Sequence, residues 1–303
     1  SRTSFTWGIK VPNNNNHVIY VWLDALINYL SALNFPNTND KLYKNFWPAS
    51  LHVIGKDILR FHAIYWPAFL LAADVEPPTR IFSHGWILSG EKKMSKSRGN
   101  ILNPLEIIKT YGIDELRYYL MKEVPHGSDG SISLKNLENC INSDLANNYG
   151  NLCQRVFSFI KNNCGNKVSK RKNISDSDKK LMEQTKKLTK DLRNEMDKQN
   201  LNNYIKSVIN ISFLTNKYIN DEEPWKLKKN NTEKMNNILH IALEQIVKIS
   251  ILLNPIIPEK SSKVLDALNI NTKLRNLAFL DGKNVIDDEI KIKKLDILFK
   301  KTT

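Results

Sequence analysis

The sequence GWILSGEKKMSKSRGN, residues 85–100, places three glycines and four cationic side chains directly after a short strand-like segment, residues 80–84. Glycines let the backbone approach a ligand closely, and lysines on such a loop can neutralise the charge of nucleotide phosphates. In an open parallel sheet, ligands bind outside the carboxyl ends of the strands. The stretch therefore predicts a phosphate-binding loop after a strand of an α/β domain. The alternative is a solvated surface loop.

The residues around this loop alternate between strand-like and helix-like patterns. His17–Trp22, Leu51–Gly55 and Arg80–His84 are rich in β-branched or aromatic side chains and are bounded by polar or glycine positions, which predicts strands. After the second of them, Asp57 is placed as the N-cap of a helix. Strands that alternate with helices predict that residues 1–140 form part of a doubly wound, Rossmann-like parallel sheet.

Beyond residue 140 the apolar pattern is helical throughout. Two long segments carry apolar side chains at spacings of three and four, and Asn254-Pro255 is expected to end the second, because proline cannot continue a helix. The side chains expected to face the core are Tyr204, Val208, Ile211, Thr215 and Tyr218 on the first segment, and Leu239, Leu243, Ile246 and Leu253 on the second. Residues 141–303 are predicted to form an antiparallel helical bundle.

The net charge of the chain indicates what kind of partner it binds. Lys and Arg number 45 and Asp and Glu number 31, which gives a formal net charge of +14 at pH 7. A surplus of this size favours a polyanionic partner, since each neutralised phosphate releases counterions. A compositional bias that spreads solvated lysines over the surface is the alternative. Charge alone does not decide between them.

The cysteines, the histidines and the apolar runs indicate the redox compartment, the metal content and the membrane association expected of the protein. Cys140, Cys153 and Cys164 form no Cys-x-x-Cys pair, which predicts free thiols in a reducing compartment. None of the six histidines lies at metal-ligand spacing from another histidine or a cysteine, so no zinc site is predicted. The longest apolar run, Ile246–Leu253, is too short to cross a bilayer. A cytoplasmic protein without a membrane span is expected.

Three segments carry a resemblance to a known family. Lys93-Met94-Ser95-Lys96-Ser97 matches the signature loop of the class I aminoacyl-tRNA synthetases at all five positions. Tyr20–Tyr29 and Gly55–His62 resemble the amino-acid-binding segment of the methionyl enzymes and the block that follows it. The chain resembles the C-terminal half of a methionyl-tRNA synthetase, which implies the second half of a class I catalytic domain followed by a helical anticodon-binding domain.

In that family, the residues that match Trp22, Tyr29, Phe61 and His62 build the methionine pocket. Aromatic rings suit methionine, because its polarisable sulfur makes favourable contacts with ring edges. His62 or the Tyr29 hydroxyl is expected to donate a hydrogen bond to the thioether, a weak acceptor. For any one of these aromatic residues alone, core packing is the alternative.

The resemblance also implies an ATP site. Asp57 is expected to contact the ribose and the Ile87 backbone the adenine edge, with Gly55 at the strand end beside them. The loop residues Ser95 and Ser97 complete the set, together with Lys93 and Lys96. These two lysines are the expected catalytic residues, since they would stabilise charge on the leaving pyrophosphate of Mg²⁺-bound ATP.

In the helical region, the resemblance implies that Asn151, Arg155 and Trp225 read the anticodon of tRNA(Met). Asn151 and Arg155 are four residues apart, so they project from one face of a predicted helix. Trp225 follows Pro224 at a predicted helix start, and an exposed indole can stack on a splayed base. A buried packing role for Trp225 is the alternative.

The other ATP signature of the family, His-Ile-Gly-His, does not occur in residues 1–303. The resemblance therefore implies a methionine–tRNA ligase, expected to be monomeric, of which this chain carries half of the nucleotide site. Leucine, valine and cysteine enzymes of the same class lack the pairing of Trp22 with Phe61-His62. The rival from another class is a non-catalytic tRNA-binding module.

Overall fold

A computed structural model describes residues 1–90, 92–94, 102–280, 286 and 289–302. The chain divides into two compact units. Unit 1 comprises residues 1–86 and 127–129, and unit 2 comprises residues 87–126 and 130–303. The boundary predicted between residues 140 and 141 falls inside unit 2. The division between a catalytic part, residues 1–140, and an anticodon-binding part, residues 141–303, stays a prediction.

The elements of unit 1 are, in order, β1 (Lys10–Val11), β2 (Asn14–Val18), α1 (Val21–Ser31), α2 (Lys41–Phe46), β3 (His52–Gly55), a 3-10 turn (Lys56–Ile58), a wide helical turn (Phe61–Tyr65), α3 (Trp66–Ala72) and β4 (Ile81–His84). β1 and β2 form an antiparallel hairpin, whereas β3 and β4 pair in parallel, from His52 with Ile81 to Gly55 with His84. Two parallel strands joined through a helix are the repeating motif of a doubly wound sheet. The strands predicted over residues 51–55 and 80–84 are confirmed.

The strand predicted over His17–Trp22 is wrong beyond Val18. α1 begins at Val21, and Trp22 lies inside it. Leu26 and Leu30 are buried on α1 at helical spacing. Burial of this apolar face outweighs the strand preference of the aromatic and β-branched side chains, which depends on context.

Asp57 is not the helix N-cap that the sequence predicts. It lies within the 3-10 turn, and the N-cap of that turn is Gly55. Regular α-helix starts only at Trp66, whose N–H donates to the Phe61 carbonyl across the wide turn. Pro67 follows and has no N–H to donate, which favours an irregular turn at this point.

The core of unit 1 is small. Trp47 fixes its indole by donating from Nε1 to the Glu76 carbonyl at 3.0 Å. The buried side chains of this core are Leu26, Leu30, Trp47, Trp66, Leu70 and Val75. They hold α1 against α3, which sets the position of the aromatic residues described below.

Unit 2 begins with a sheet. Its elements up to the first long helix are β5 (Ile87–Ser89), β6 (Lys92–Lys93), α4 (Pro104–Tyr111), α5 (Ile113–Glu123), β7 (Gly130–Ile132), α6 (Leu134–Cys140), a wide helical segment (Ile141–Gly150) and α7 (Asn151–Asn163). β5 is the central strand, parallel to β7 and antiparallel to β6. The predicted α/β class is confirmed, although the strands of the described residues form separate small sheets.

The rest of unit 2 is helical. Its elements are β8 (Lys167–Val168), α8 (Asp176–Thr189), α9 (Leu192–Asp197), α10 (Leu201–Glu222), α11 (Pro224–Leu227), α12 (Thr232–Leu253), α13 (Pro258–Ala267), a 3-10 turn (Thr272–Leu274), α14 (Leu277–Leu280) and β9 (Ile290–Lys291). All the side chains predicted to face the bundle core on α10 and α12 are buried. α12 ends at Leu253, directly before Asn254-Pro255, as predicted.

α12 is the central helix of unit 2. It is long and apolar enough to cross a membrane, but 89% of its most apolar 18-residue stretch is buried inside the protein. The core helix of a globular domain has this property as well, so the observation is accounted for by packing. Cys140, Cys153 and Cys164 are free, and burial raises the pKa of Cys140 to about 12.

Candidate functional site

α1 and the wide turn after β3 bring the four predicted methionine-pocket residues together in unit 1. The Trp22 ring stacks on the Phe61 ring, with centroids 4.0 Å apart and 9° between the planes. The His62 ring lies 6.3 Å from that of Trp22 and 5.7 Å from that of Tyr29. His62 is buried, while the other three are half-buried. The cluster therefore presents aromatic faces and edges to a small apolar or thioether side chain.

Two hydrogen bonds fix the protons of this cluster. His62 Nδ1 lies 3.0 Å from the Ile58 carbonyl, which can only accept, so Nδ1 carries the hydrogen. In the neutral ring, Nε2 then accepts from the Tyr29 hydroxyl at 2.9 Å. The Tyr29 hydroxyl proton and the His62 Nδ1 proton are thus both donated within the cluster. The expected hydrogen bond from either residue to a thioether is therefore not available in this arrangement.

His52 and Trp66 line the cluster and were not predicted from the sequence. The His52 ring meets the Tyr29 ring edge-on, with centroids 4.4 Å apart, and Trp66 lies 6.2 Å from Tyr29. His52 Nε2 and Trp66 Nε1 are buried without a hydrogen-bond partner among the described residues. The alternation of β3, which buries His52 together with Ile54, was the available signal for His52.

The carboxyl end of β3 carries the two residues predicted for the ribose side of an ATP site. A Cβ on Gly55 would lie 2.6 Å from Asp57 Oδ1, so a larger residue at this position would displace the Asp57 carboxylate. Asp57 is exposed. His84, at the end of β4, is the register partner of Gly55. An exposed carboxylate at the ends of two parallel strands is suited to accept hydrogen bonds from ribose hydroxyls.

An ion pair fixes the surroundings of this strand end. Lys56 Nζ lies 2.5 and 2.7 Å from the two carboxylate oxygens of Asp129, and Asp129 accepts from the Trp86 N–H at 2.9 Å. The hydrogen bond from Lys56 lowers the pKa of Asp129. Lys56 Nζ also lies 4.1 Å from the Trp86 ring centroid. A Cβ on Gly85 would overlap the Ser128 backbone, so glycine is required there.

The signature loop belongs to unit 2. Ile87 begins β5, and Lys93 pairs with Leu88 at the end of β6. Met94 is partly buried and packs against the core of unit 2, which anchors the start of the loop. The predicted phosphate-binding residues Ser95, Lys96 and Ser97 lie outside the described residues.

The three predicted anticodon residues lie near one another in unit 2. Arg155 Nη2 donates to Asn220 Oδ1 at 2.7 Å, and its guanidinium carbon lies 5.8 Å from the Trp225 ring centroid. Asn151 lies one turn before Arg155 on α7 and is half-buried. Trp225 is 43% exposed, so much of its side chain is accessible to a partner. Asn220 is a member of this group that sequence reasoning missed.

The backbone before Trp225 sets its position. Glu223 ends α10 in the left-handed conformation, with φ 45°, and the buried Pro224 begins α11. Lys226 Nζ binds the Glu223 carboxylate at 2.7 Å and closes the turn. Proline suits the first position of a helix because no N–H is needed there. The indole of Trp225 is thereby held beside Arg155.

Two family profiles match the chain in succession. One, described as tRNA synthetases class I (M), covers residues 1–157, and the other, described as the anticodon binding domain of methionyl tRNA ligase, covers residues 168–303. The chain belongs to the methionyl-tRNA synthetase family. The family and the fold class expected from the signature loop are confirmed.

Relatives in this family are similar over nearly the whole chain. The methionine–tRNA ligase of Rickettsia felis is 44% identical over 300 residues, which are 96% of this chain and 58% of the relative. That of Brucella suis is 43% identical over 278 residues, 92% of this chain and 54% of the relative. The chain spans a little over half the length of these curated relatives.

Solved methionyl-tRNA synthetases share the fold. The Mycobacterium tuberculosis enzyme bound by methionyl-adenylate is 38% identical, with a TM-score of 0.90 over 99% of this chain and 59% of that chain. The free enzyme from the same organism gives 36% identity and a TM-score of 0.89. The architecture described above is therefore that of the family.

The aromatic cluster gives a pH prediction for this chain. Burial, and then the charge of His62, lower the pKa of His52. The folded state thus binds a proton at His52 less readily than the unfolded chain. The neutral His52 side chain therefore contributes to the free energy of unfolding above about pH 6.5, the ordinary pKa of histidine. This contribution is lost as the pH falls through the lower pKa of His52 in the folded state.

We expect His52→Gln to flatten the pH dependence of unfolding between pH 7.5 and 5. Denaturant unfolding followed by tryptophan fluorescence reports mainly on unit 1, which holds five of the six tryptophans, Trp7, Trp22, Trp47, Trp66 and Trp86. The control, His17→Gln in the β1–β2 hairpin, should keep the parental slope. A parental slope in His52→Gln would show that this side chain is not the titrating group.

Proposed function

We propose that this chain is the C-terminal part of a methionine–tRNA ligase. The complete protein activates methionine with ATP to methionyl-adenylate, releases pyrophosphate, and transfers methionine to the terminal ribose of tRNA(Met). The observation that carries the proposal is the convergence of Trp22, Tyr29, Phe61 and His62 on one cluster in unit 1. The adenylate in a relative of 38% identity supports it.

Methionine recognition follows from the cluster. Each sulfur–aromatic contact contributes ~0.3–1.5 kcal/mol. Because His62 donates to Ile58 and Tyr29 donates to His62, these two rings offer the sulfur their edges and no free proton. Selection would thus rest on shape and polarisability, with the buried Trp66 behind Tyr29 limiting the depth of the pocket.

Nucleotide chemistry is assigned to two sets of residues. Gly55 and Asp57 are assigned to the ribose, and the Ile87 backbone is assigned to the adenine edge. Mg²⁺ enters with the ATP phosphates as part of the substrate, since this ion keeps several waters and binds through one or two carboxylates plus phosphates. No covalent nucleophile is required, because positioning and charge stabilisation supply the catalysis.

The loop lysines are the proposed catalytic residues. Lys93 and Lys96 neutralise charge that develops on the pyrophosphate, and Ser95 and Ser97 add hydrogen bonds to it. Support comes from the five-residue signature and from Met94, whose packing against the core of unit 2 anchors the loop.

The helical part of unit 2 is proposed to bind the anticodon. Trp225 would stack on an unpaired base, while Asn151 and Arg155 would hydrogen-bond base edges. The pairing of Arg155 with Asn220 and its position near the Trp225 ring orient the guanidinium before RNA arrives. Scattered lysines would contact phosphates without sequence preference.

The environment proposed for the protein follows from its side chains. Free, buried Cys140 and Cys153 fit a reducing cytoplasm, and the burial of α12 fits a protein without a membrane span. A monomer is proposed for the functional state.

Two observations bear on a second candidate, a non-catalytic tRNA-binding module. The His-Ile-Gly-His signature does not occur in residues 1–303, and unit 1 exposes large apolar side chains, among them Trp7, Ile9 and Leu71. Where such side chains lie next to one another, they are suited to pack against further protein. In the ligase proposal that protein is the rest of the catalytic domain.

The first test separates these candidates. Purified residues 1–303 should show no methionine-dependent ATP–pyrophosphate exchange, because half of the phosphate site is missing. A fusion carrying the N-terminal part of the Rickettsia felis relative should exchange. In the fusion, Lys96→Ala should slow exchange about 10²–10³-fold, the loss typical of one transition-state contact, whereas Lys109→Ala, an exposed lysine on α4, should stay close to the parent.

Exchange by residues 1–303 alone would contradict the expectation of an incomplete site. A folded fusion that binds tRNA but supports no exchange would favour the non-catalytic module.

The second test concerns the anticodon. In the fusion, Trp225→Ala should lose one stacking contact, worth ~1–3 kcal/mol, and slow charging of tRNA(Met) about 5- to 150-fold. Adenylate formation without tRNA should be unchanged. The measurement compares charging of tRNA(Met) with charging of the same tRNA carrying a changed anticodon. Unchanged discrimination in both Trp225→Ala and Arg155→Ala would assign anticodon reading to other residues.

A further inference from the structure

α10 carries a second exposed aromatic residue close to the proposed anticodon site. Among the aromatic side chains that the structure describes in unit 2, only Phe213 and Trp225 are largely exposed, at 60% and 43%. Phe213 lies on α10, the helix that also supplies Asn220 to Arg155. One exposed apolar side chain needs no special explanation, so the surroundings of Phe213 decide its meaning.

Phe213 belongs to an exposed stripe of α10. Exposed residues recur at spacings of four and three, which places them on one face of the helix. The stripe consists of Lys206, Asn210, Phe213, Lys217 and Asn220. Its last member accepts the hydrogen bond from Arg155, so the stripe is continuous with the proposed anticodon site.

The chemistry of the stripe fits single-stranded RNA. Between Leu201 and Asn220 the helix contains no Asp or Glu, while Lys206 and Lys217 flank Phe213 on both sides. Proteins that bind unpaired nucleic acid combine a cationic track with aromatic side chains on which bases stack. The amides of Asn210 and Asn220 add hydrogen-bonding groups for base edges or ribose.

The spacing fits an anticodon loop. Phe213 precedes Asn220 by seven residues, or about 10 Å along the helix axis. Neighbouring nucleotides are about 3.4 Å apart when stacked. Phe213 therefore lies two or three nucleotides from a base held between Arg155 and Trp225.

We propose that Phe213 is a second base-stacking residue, on which an unpaired loop base two or three nucleotides from the Trp225 contact stacks, with Lys206 and Lys217 as phosphate contacts. This inference rests on the proposed anticodon-binding function and extends its site along α10. An apolar protein segment would gain little from a stripe of lysines and amides, so RNA is the occupant favoured.

Residues 1–303 can be tested as they are. The probe is a stem-loop RNA with the methionine anticodon CAU, and its binding is followed by fluorescence anisotropy. Phe213→Ala should weaken binding about 5- to 150-fold, the range for one stacked base, and Phe213→Trp should retain it. Phe213→Leu should lose affinity as well, because it keeps apolar area without an aromatic face. The matched control, Leu105→Ala, removes a 73% exposed side chain of unit 2 and should stay within twofold of the parent.

Two further measurements distinguish stacking from a general effect. Abasic substitution of the loop nucleotides, one at a time, should reveal one position at which Phe213→Ala costs no further affinity. Lys217→Gln should reduce the salt dependence of binding by about one phosphate contact. An equal loss for Phe213→Ala at every abasic position would overturn the stacking assignment.

Comparing these variants with Trp225→Ala and Arg155→Ala tests the role of Phe213 separately from the anticodon-binding function on which it rests. If Trp225→Ala and Arg155→Ala weaken binding while Phe213→Ala stays within twofold of the parent, Phe213 is not an RNA contact and the anticodon proposal stands. If none of the three substitutions changes the affinity, both are wrong. Circular dichroism of each variant checks that the exposed substitution leaves the fold intact.

Discussion

The proposed amino-acid site depends on the direction of two hydrogen bonds, from Tyr29 to His62 and from His62 to the Ile58 carbonyl. These bonds join α1 to the irregular turn after β3. With both protons committed, the Trp22–Phe61 stack is left as the accessible part of the cluster. Neither Tyr29 nor His62 has a proton left for a ligand, so these two residues contribute to selection through ring contacts and shape.

The sequence predicted regular elements well where periodicity and burial agree. β3, β4 and the buried faces of α10 and α12 follow from alternating or helical apolar spacing. The failures lie between β2 and α3, where local preference and tertiary packing disagree. Trp22 has a strand preference but lies half-buried on a helix, and Pro67 delays the α-helix that Asp57 was expected to cap.

The residues of the candidate sites were predicted from the resemblance to the family. The neighbouring residues His52, Asn220 and Phe213 were not predicted. Helical periodicity leaves Phe213 off the core face of α10, because this face contains Ile211 and Thr215, but it does not show what an exposed aromatic side chain binds. His52 and Asn220 act through contacts with residues far along the chain, Tyr29 and Arg155. Such contacts depend on tertiary structure, which no local pattern encodes.

The central claim is that the aromatic cluster is a methionine site and not only the core of unit 1. Its most direct measurement is the KM for methionine in ATP–pyrophosphate exchange by the completed fusion, with and without Trp22→Ala. The account predicts a rise of about tenfold, or ~1.4 kcal/mol, the upper range of one sulfur–aromatic contact, with little change in the KM for ATP. An unchanged KM for methionine in a variant that only unfolds earlier would contradict it.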